Sequence, residues 1–522
     1  MSRLEIASPK RAKIVMEGLY KDLERRIESS PPGLCPVDMA RAFLELCHAQ
    51  TCGKCVPCRI GLGQLNNFIR EVLDGKATMK TLDIMEQTAL SIMESADCAI
   101  GYEAANMVYK GLIGYRDDYI EHIQNGRCTC TYNQPVPCVS LCPAHVDIPG
   151  YIALVGEGRY ADAIRLLRKD NPFPTTCGFI CEHPCEARCR RNMVDDSINI
   201  RGLKRVAADF AGEVDPPQCA PSTGKKIAIL GGGPGGLSAA YYLQLMGHQT
   251  TVYEMLPELG GMLRYGIPNY RLPKERLDDD IRAILKTGVQ VKNGLKIGQD
   301  ITIQELRQQY DVVLITIGAS TDKKLGLENE DADGIISAVQ FLRNVGKNQI
   351  IDLTGKEVVV IGGGNVSMDA VRTAKRLGAK KVSIVYRRRV ADMTALPGEI
   401  EGAVAEGIEL QTLKAPASID VDENHHVKGI YVTPQMVSSI RDGRASIKPT
   451  GEEDIYIPCD VLIVAIGQNI ETHHFEQAGI PVERGKIITK STGAFENLPG
   501  VFAGGDCASG PASVIKAIAA AK

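Results

Sequence analysis

At 522 residues the chain exceeds what one ordinary core organises, and the usual domain size divides it into about three or four units of about 100 to 200 residues. Hydrophobic residues at 44%, charged residues at 24% and a formal net charge of -3 describe a globular chain without the basic footprint that nucleic acid or anionic lipid would select. The opening stretch, MSRLEIASPKRAKIVMEGLYKDLERRIESS, has charges every few residues and no apolar run of signal-peptide or membrane-span length, so a cytoplasmic location is expected.

Residues 10 to 28 alternate apolar and charged positions at helical spacing, and residues 38 to 125 continue with helix-forming stretches expected to break at Gly53, Gly75 and Gly101. Without a secretion signal, the 17 cysteines point to metal or redox use, because the reducing cytosol disfavours disulfides. Cys52, Cys55 and Cys58 form CGKCVPC, and Cys98 lies 40 residues on in ESADCAIG. Three thiolates at two-residue gaps reach three corners of one cubane, and the remote fourth closes it from another helix. A zinc knuckle also uses CxxC pairs, but usually two pairs and not a triplet plus one.

From Arg127 to about Phe210, cysteines, prolines and short helices such as Tyr160 to Lys169 alternate, which suits a segment folded around inorganic clusters. Cys128, Cys130, Cys138 and Cys142, the last followed by Pro143, are answered by Cys177, Cys181, Cys185 and Cys189 in TTCGFICEHPCEARC. Eight cysteines in two groups suit two [4Fe-4S] clusters; one cluster with spare thiols is the other reading. Cys35, Cys47, Cys219, Cys459 and Cys507 remain as ordinary small side chains.

After a linker, EVDPPQCAPSTGKK, apolar β runs alternate with glycine turns and helices: KIAILGGGPGGLSAAYYL, TTVYEM, DVVLITIGA, EVVVIGGGNVSMDAV, KVSIVYRRR and DVLIVAIGQ. That alternation predicts parallel sheets, and two glycine fingerprints predict two nucleotide-binding domains. Gly231, Gly233 and Gly236 stand between a strand and a helix, and Glu254 ends the next strand, where an acid binds ribose hydroxyls. Gly362, Gly363 and Gly364 open the second turn, and there the next strand ends in Tyr386, Arg387, Arg388 and Arg389. Guanidinium groups at that position pair with the extra 2′-phosphate of NADP; a solvated basic strand end is the bland alternative.

From about residue 127 onward the chain resembles the FAD-containing small subunit of glutamate synthase, the large subunit of NADH-dependent ferredoxin:NADP oxidoreductase and the N-terminal part of dihydropyrimidine dehydrogenase. CPAHVDIPGYI, NPFPTTCGFIC, GGGPGGLSAAYYL, GGMLRYGIPNYRLP, GGGNVSMDA, YRRR and GVFAGGDCASGPASVIKAI carry the resemblance. Residues 35 to 125 resemble the C-terminal cluster-bearing helical domain of the NADH-binding flavoprotein subunit of complex I, without its FMN and NADH domain.

The resemblance implies a multidomain α plus α/β fold. Helical [4Fe-4S] domains over 1–125 and 126–215 precede two Rossmann-like domains, an FAD domain over 224–345 and 468–522 interrupted by an NADP(H) domain over 346–467. It implies FAD on Gly231 to Gly236 with Glu254 at its ribose, Met262 and Arg271 near the flavin, and Gly505, Asp506, Ala512, Ser513 and Val514 closing the site. NADP(H) would use Gly363, Gly364, Asn365 and Val366, with Arg387 and Arg388 on the 2′-phosphate. Two departures stand out: Cys128 and Cys130 are one residue apart where the family has CxxC, and Lys204 stands where relatives place a Gln or Glu cluster ligand, with Cys177 as the expected substitute. The chain also stops at Lys522 inside its last helix, where relatives usually continue.

The expected activity is hydride exchange between NADP(H) and FAD, with single electrons passing through about three clusters. The expected setting is a multi-subunit cytoplasmic complex with ferredoxin or other flavin and cluster subunits as partners, including one that bifurcates electrons between NADP(H), NADH and ferredoxin. The alternative is a glutamate synthase small subunit; that family lacks the N-terminal cluster domain. No catalytic side chain is identifiable, because flavin and nicotinamide carry the chemistry.

Overall fold

A computed structural model describes residues 10–28, 35–126, 136–187, 189–193, 195–349, 351–441 and 444–522. They divide into two compact units, one drawn from residues up to Cys142 and from His183–Asn199, the other from Pro143–Glu182 and Ile200–Lys522. Cys128 and Cys130 lie outside the described residues.

The first unit is helical, and its apolar spacing explains why. The helix Leu62–Leu73 buries Leu62, Leu65, Ile69 and Val72, and Met79–Ser95 buries Leu82, Met85, Ala89 and Ile92, each set at steps of three and four along one face. Each large apolar side chain removed from water contributes about 1.5 to 3 kcal/mol. Thr78 opens the second of these helices through a capping box with Thr81. Gly53 and Gly75 do break the chain, with φ of 69° and 66°. Gly101 does not: it lies inside the helix Ala99–Gly114, which starts directly after Cys98. Its lack of a side chain serves packing, since a Cβ there would sit 2.5 Å from Cys58 Sγ.

The second unit holds two parallel five-stranded sheets of the same plan. The first runs, from edge to edge, Val501–Ala503, Val312–Ile315, Lys226–Leu230, Gln249–Glu254 and Gln290–Asn293. The second runs Ile335–Ser337, Val461–Val464, Glu357–Ile361, Lys381–Tyr386 and Glu409–Thr412. The central strands are continuous apolar runs because both faces of each sheet are covered, in the second sheet by helices on the Val358 and Val360 side and by further strands on the Val359 and Ile361 side. The chain leaves the first sheet after Ile315 and rejoins it at Val501, so the first domain is interrupted by the second; Thr321–Asp322 pairs antiparallel with Gln468–Asn469 where the two passages cross. The edge strand Ile335–Ser337 comes from before residue 346, where the sequence expectation starts the second domain.

An antiparallel sheet of Lys414–Val421, Val427–Arg441, Arg444–Pro449 and Ile455–Pro458 has no counterpart in the sequence expectations. Alternating burial along its strands, with Ile430 and Val432 inside and Tyr431 outside, packs it against Ile361 and Val385 of the second parallel sheet. Among the described residues no helix is long and apolar enough to cross a membrane.

Candidate functional site

Each parallel sheet carries its glycine turn at the carboxyl end of its central strand, where the strand order reverses and a crevice opens. The helices that follow, Pro234–Leu245 and Asn365–Arg376, have Gly233 and Gly364 as N-caps and no side-chain cap. Thr302 and Ser337, by contrast, cap their helices with side-chain oxygens. The two glycine-capped helices therefore keep their first N–H groups and positive dipole end for an anion.

Close approach fixes the glycines. Gly231 has φ of 111°, and a Cβ at Gly236 would lie 2.0 Å from Gly231 O, so the third glycine lets the helix seat beneath the turn. In the second loop Gly362 has φ of 146°, and a Cβ at Gly363 would lie 2.6 Å from the Tyr386 ring, which packs over the turn.

The first crevice is lined by Gly231, Gly233 and Glu254, by Met262 and Tyr265, by the loop Thr316–Ser320 and by Gly505 and Asp506. Glu254 is buried, and its two carboxylate oxygens accept from Gly232 N at 2.7 Å and Leu256 N at 2.8 Å. Burial pushes its pKa up and the backbone N–H groups partly offset this. Burial likewise pushes Asp506 up to about 6, against a hydrogen bond from the Ala512 backbone, and its Oδ1 is buried with no partner. A buried acceptor without a donor, beside a helix end without a cap, fits a dinucleotide that brings hydroxyls and phosphates. Ser513 is the N-cap of Val514–Ala521, the helix that packs against Pro234–Leu245. Arg271 is not among the lining residues: its Nη1 meets Asp369 at 2.8 Å and its Nη2 meets Glu399 at 3.1 Å, both on helices of the second sheet.

The second crevice brings Gly363, Gly364, Asn365 and Val366 together with Arg387 and Arg388. Asn365 is held at both ends of its amide, accepting from Leu396 N at 3.0 Å and donating to Glu182 at 3.2 Å. Arg388 is braced by its Nε on Ala445 O at 3.1 Å, on the antiparallel sheet. Arg389 is committed elsewhere, to Asp392 at 2.8 and 2.9 Å. That guanidinium, with the Ala445 N–H, holds the Asp392 carboxyl well below the usual range.

Cysteines converge in the first unit. Burial, then Cys55, Cys98 and Cys52 in that order, push the Cys58 thiol up to about 12, so Cys58 lies within electrostatic reach of the other three. A thiol crowded by three others fits a site where a cation would accept them as thiolates. Cys138, whose pKa is raised first by burial, also senses Cys189 and Cys142, and Cys185 is buried. Among the described residues no three His, Cys, Asp or Glu side chains stand close enough to hold a single metal ion.

In the second unit Cys177 is fully buried on the helix Pro174–Ile180, its pKa raised by burial and then by Cys181. The buried Lys204 is near enough to pull the Cys177 pKa back down.

Sequence reasoning missed Asp280. It is fully buried, and it accepts from Thr176 N at 2.7 Å and Thr175 N at 3.3 Å, which ties the Cys177 helix to Lys274–Leu285 of the first sheet's domain. The signal was present: Asp280 stands on the apolar stripe of that helix with Leu277, Ile281 and Ile284.

Comparison with known proteins agrees with this layout. Residues 225–521 match the pyridine nucleotide-disulphide oxidoreductase family. Residues 38–122 match the NADH-ubiquinone oxidoreductase-F iron-sulfur binding region, and residues 114–215 match dihydropyrimidine dehydrogenase domain II, 4Fe-4S cluster. The NADP(+)-dependent formate dehydrogenase subunit beta of Moorella thermoacetica is 32% identical over 92% of this chain and 77% of its own length. The NADPH-Fe(3+) oxidoreductase subunit beta of Geobacter sulfurreducens is 34% identical over 93% of this chain and 77% of its own. The glutamate synthase [NADPH] small chain of Escherichia coli is 34% identical over 73% of this chain and 85% of its own.

Proposed function

The chain belongs to the pyridine nucleotide-disulphide oxidoreductase family, with iron–sulfur regions ahead of its two nucleotide domains, and from that premise we propose that it exchanges reducing equivalents between NADP(H) and FAD and trades single electrons with partner redox subunits through its clusters. The observation that carries this reading is the difference between the two crevices: Glu254 ends the strand beside one glycine turn, Arg387 and Arg388 the strand beside the other. A carboxylate there suits the free ribose hydroxyls of FAD, and guanidinium groups suit the 2′-phosphate that distinguishes NADP from NAD.

When bound, FAD and nicotinamide supply the hydride chemistry and the clusters supply one-electron transfer. The chain supplies binding and orientation. The uncapped N–H groups at Gly233 and Gly364 receive the pyrophosphates, and Glu254 and Asp506 accept ribose or ribityl hydroxyls on the FAD side. Met262 and Tyr265 wall the first crevice. The ion pairs from Arg271 to Asp369 and Glu399 tie the loop after Met262 to helices of the NADP domain, which fixes how the two crevices face one another.

The relatives matching nine-tenths of the chain are named as beta subunits, which supports a place in a multi-subunit assembly; the cytoplasm, where 17 cysteines stay reduced, suits it. The finer reading, an assembly that bifurcates electrons between NADP(H), NADH and ferredoxin, draws on the N-terminal cluster region at 38–122. The same region favours this reading over a glutamate synthase small subunit, whose E. coli representative matches only 73% of the chain.

The test is an anaerobic titration of the purified chain with NADPH and, separately, NADH, following flavin absorbance and the paramagnetic resonance of the clusters. NADPH is expected to bleach the flavin and to reduce clusters at far lower concentration than NADH. A flavin that never bleaches with NADPH overturns the reading.

A further inference from the structure

FAD carries two negative charges on its pyrophosphate, yet the charged side chains lining the first crevice are two acids, Glu254 and Asp506, and a single base, Arg343. Nothing in the glycine fingerprint or in the family motifs quoted above points to this arginine.

Arg343 stands on the helix Ala338–Gly346, capped by Ser337 and contributed by the segment that begins the second domain. Its Nη2 donates to Ser320 O at 2.6 Å, which anchors the guanidinium, while its Nε is buried with no partner. It has no ion pair with any described carboxylate. The neighbouring cations are spoken for: Arg264 pairs with Glu258 at 2.9 Å and with Asp278, and Lys296 in the adjoining cavity pairs with Glu471 at 2.8 Å. A half-buried guanidinium on the crevice wall with no described carboxylate paired to it leaves its positive charge for an arriving anion.

Building on the FAD assignment above, we propose that Arg343 is a cofactor-binding residue whose guanidinium pairs with the FAD pyrophosphate. Its place along the crevice selects that part of the molecule. The anchoring residue Ser320 lines both the main crevice and the adjoining cavity around Tyr253, Glu254 and Met255, the side assigned to the adenosine ribose. The loop residues Gly233, Pro234 and Gly235 line the same crevice. Arg343 thus adds a fixed side-chain charge to a phosphate cradle otherwise made of backbone N–H groups, and it comes from the second domain's segment, so FAD occupancy and the docking of that segment support each other.

The experiment strips FAD from the full chain and measures binding of FAD, ADP and adenosine by calorimetry to the unsubstituted protein, Arg343→Ala and Arg343→Lys. ADP shares the pyrophosphate and adenosine lacks it. Arg343→Ala is expected to weaken FAD and ADP by about 10- to 100-fold, the range of a hydrogen bond to a charged group. Adenosine is expected to bind unchanged, and Arg343→Lys to recover part of the loss. Equal weakening of adenosine means a structural effect and overturns the proposal. So does unchanged FAD affinity, including the case where only the flavin potential moves, which would put the guanidinium at the ring. If the unsubstituted protein takes up no FAD, the function proposed above fails with it; if it binds FAD and Arg343→Ala binds equally well, only the Arg343 assignment fails.

Discussion

The two nucleotide crevices share one backbone device and differ in the side chains placed around it. Both put a glycine turn after a central parallel strand and a glycine N-cap on the following helix. They part at the end of the next strand, where Gln249–Glu254 finishes on a buried acid and Lys381–Tyr386 runs into three arginines. The shared part can hold any pyrophosphate; the divergent part chooses the nucleotide.

The largest effect separates the two sites through the shared part. Gly236→Ala would place a Cβ 2.0 Å from Gly231 O and 2.7 Å from Thr316 Oγ1. Backbone cannot yield there, so the variant is expected to purify without FAD while still binding NADPH; retention of stoichiometric flavin would show that the first turn is not built as described. Next comes the divergent part. Replacing Arg387 and Arg388 together by Ala is expected to weaken NADPH by on the order of 100- to 1,000-fold, the worth of about two charge-assisted hydrogen bonds, while NADH changes little. Equal losses for both nucleotides would remove the 2′-phosphate assignment. Arg389 is the internal control, since its charge is already spent on Asp392.

The tie between the crevices gives the third prediction. Arg271 and Asp369 are 12% and 6% exposed. Arg271→Leu strands Asp369 in a poorly solvated place, while Glu399 keeps its pair with Arg372 at 2.6 Å; breaking a buried pair costs about 3 kcal/mol or more. A clear fall in denaturant midpoint is expected, together with slower flavin reduction by NADPH. Unchanged stability would mean that solvent or another cation compensates.

How much of this was legible in the sequence follows the range of the interactions. The strands, turns and glycine-capped helices are local patterns, so KIAILGGGPGG and EVVVIGGGNVS announce them within twenty residues. The basic cluster after Lys381–Tyr386 was legible too, although not that Arg389 is withdrawn from the crevice by Asp392. Gly101 misled because a helix breaker by propensity is here a spacer for Cys58 Sγ. Long-range partners stayed hidden: Asp280 meets Thr175 and Thr176 from 105 and 104 positions away, and Arg271 meets Asp369 across 98. The antiparallel sheet after Thr412 was hidden for another reason, its strands being half-exposed and carrying Pro416 and Pro434 inside the alternation.

The smallest predicted effect concerns the acid that has no counterpart in the second crevice. Burial raises Asp506 to about 6 in the folded protein, against about 3.9 in an unfolded chain. A carboxyl that holds its proton more tightly when folded stabilises the FAD-free protein fully below the unfolded value, and that contribution is lost as pH rises through about 6. Asp506→Asn does not titrate. The FAD-free variant is therefore expected to melt about 2 °C or more above the unsubstituted protein at pH 8 and to lose that margin at pH 4. Asp280 and Asp369 are raised to about 6 as well, but they are present in both proteins and cancel in the difference. A margin equal at both pH values would show that the Asp506→Asn amide acts through packing and that burial does not hold a proton on Asp506.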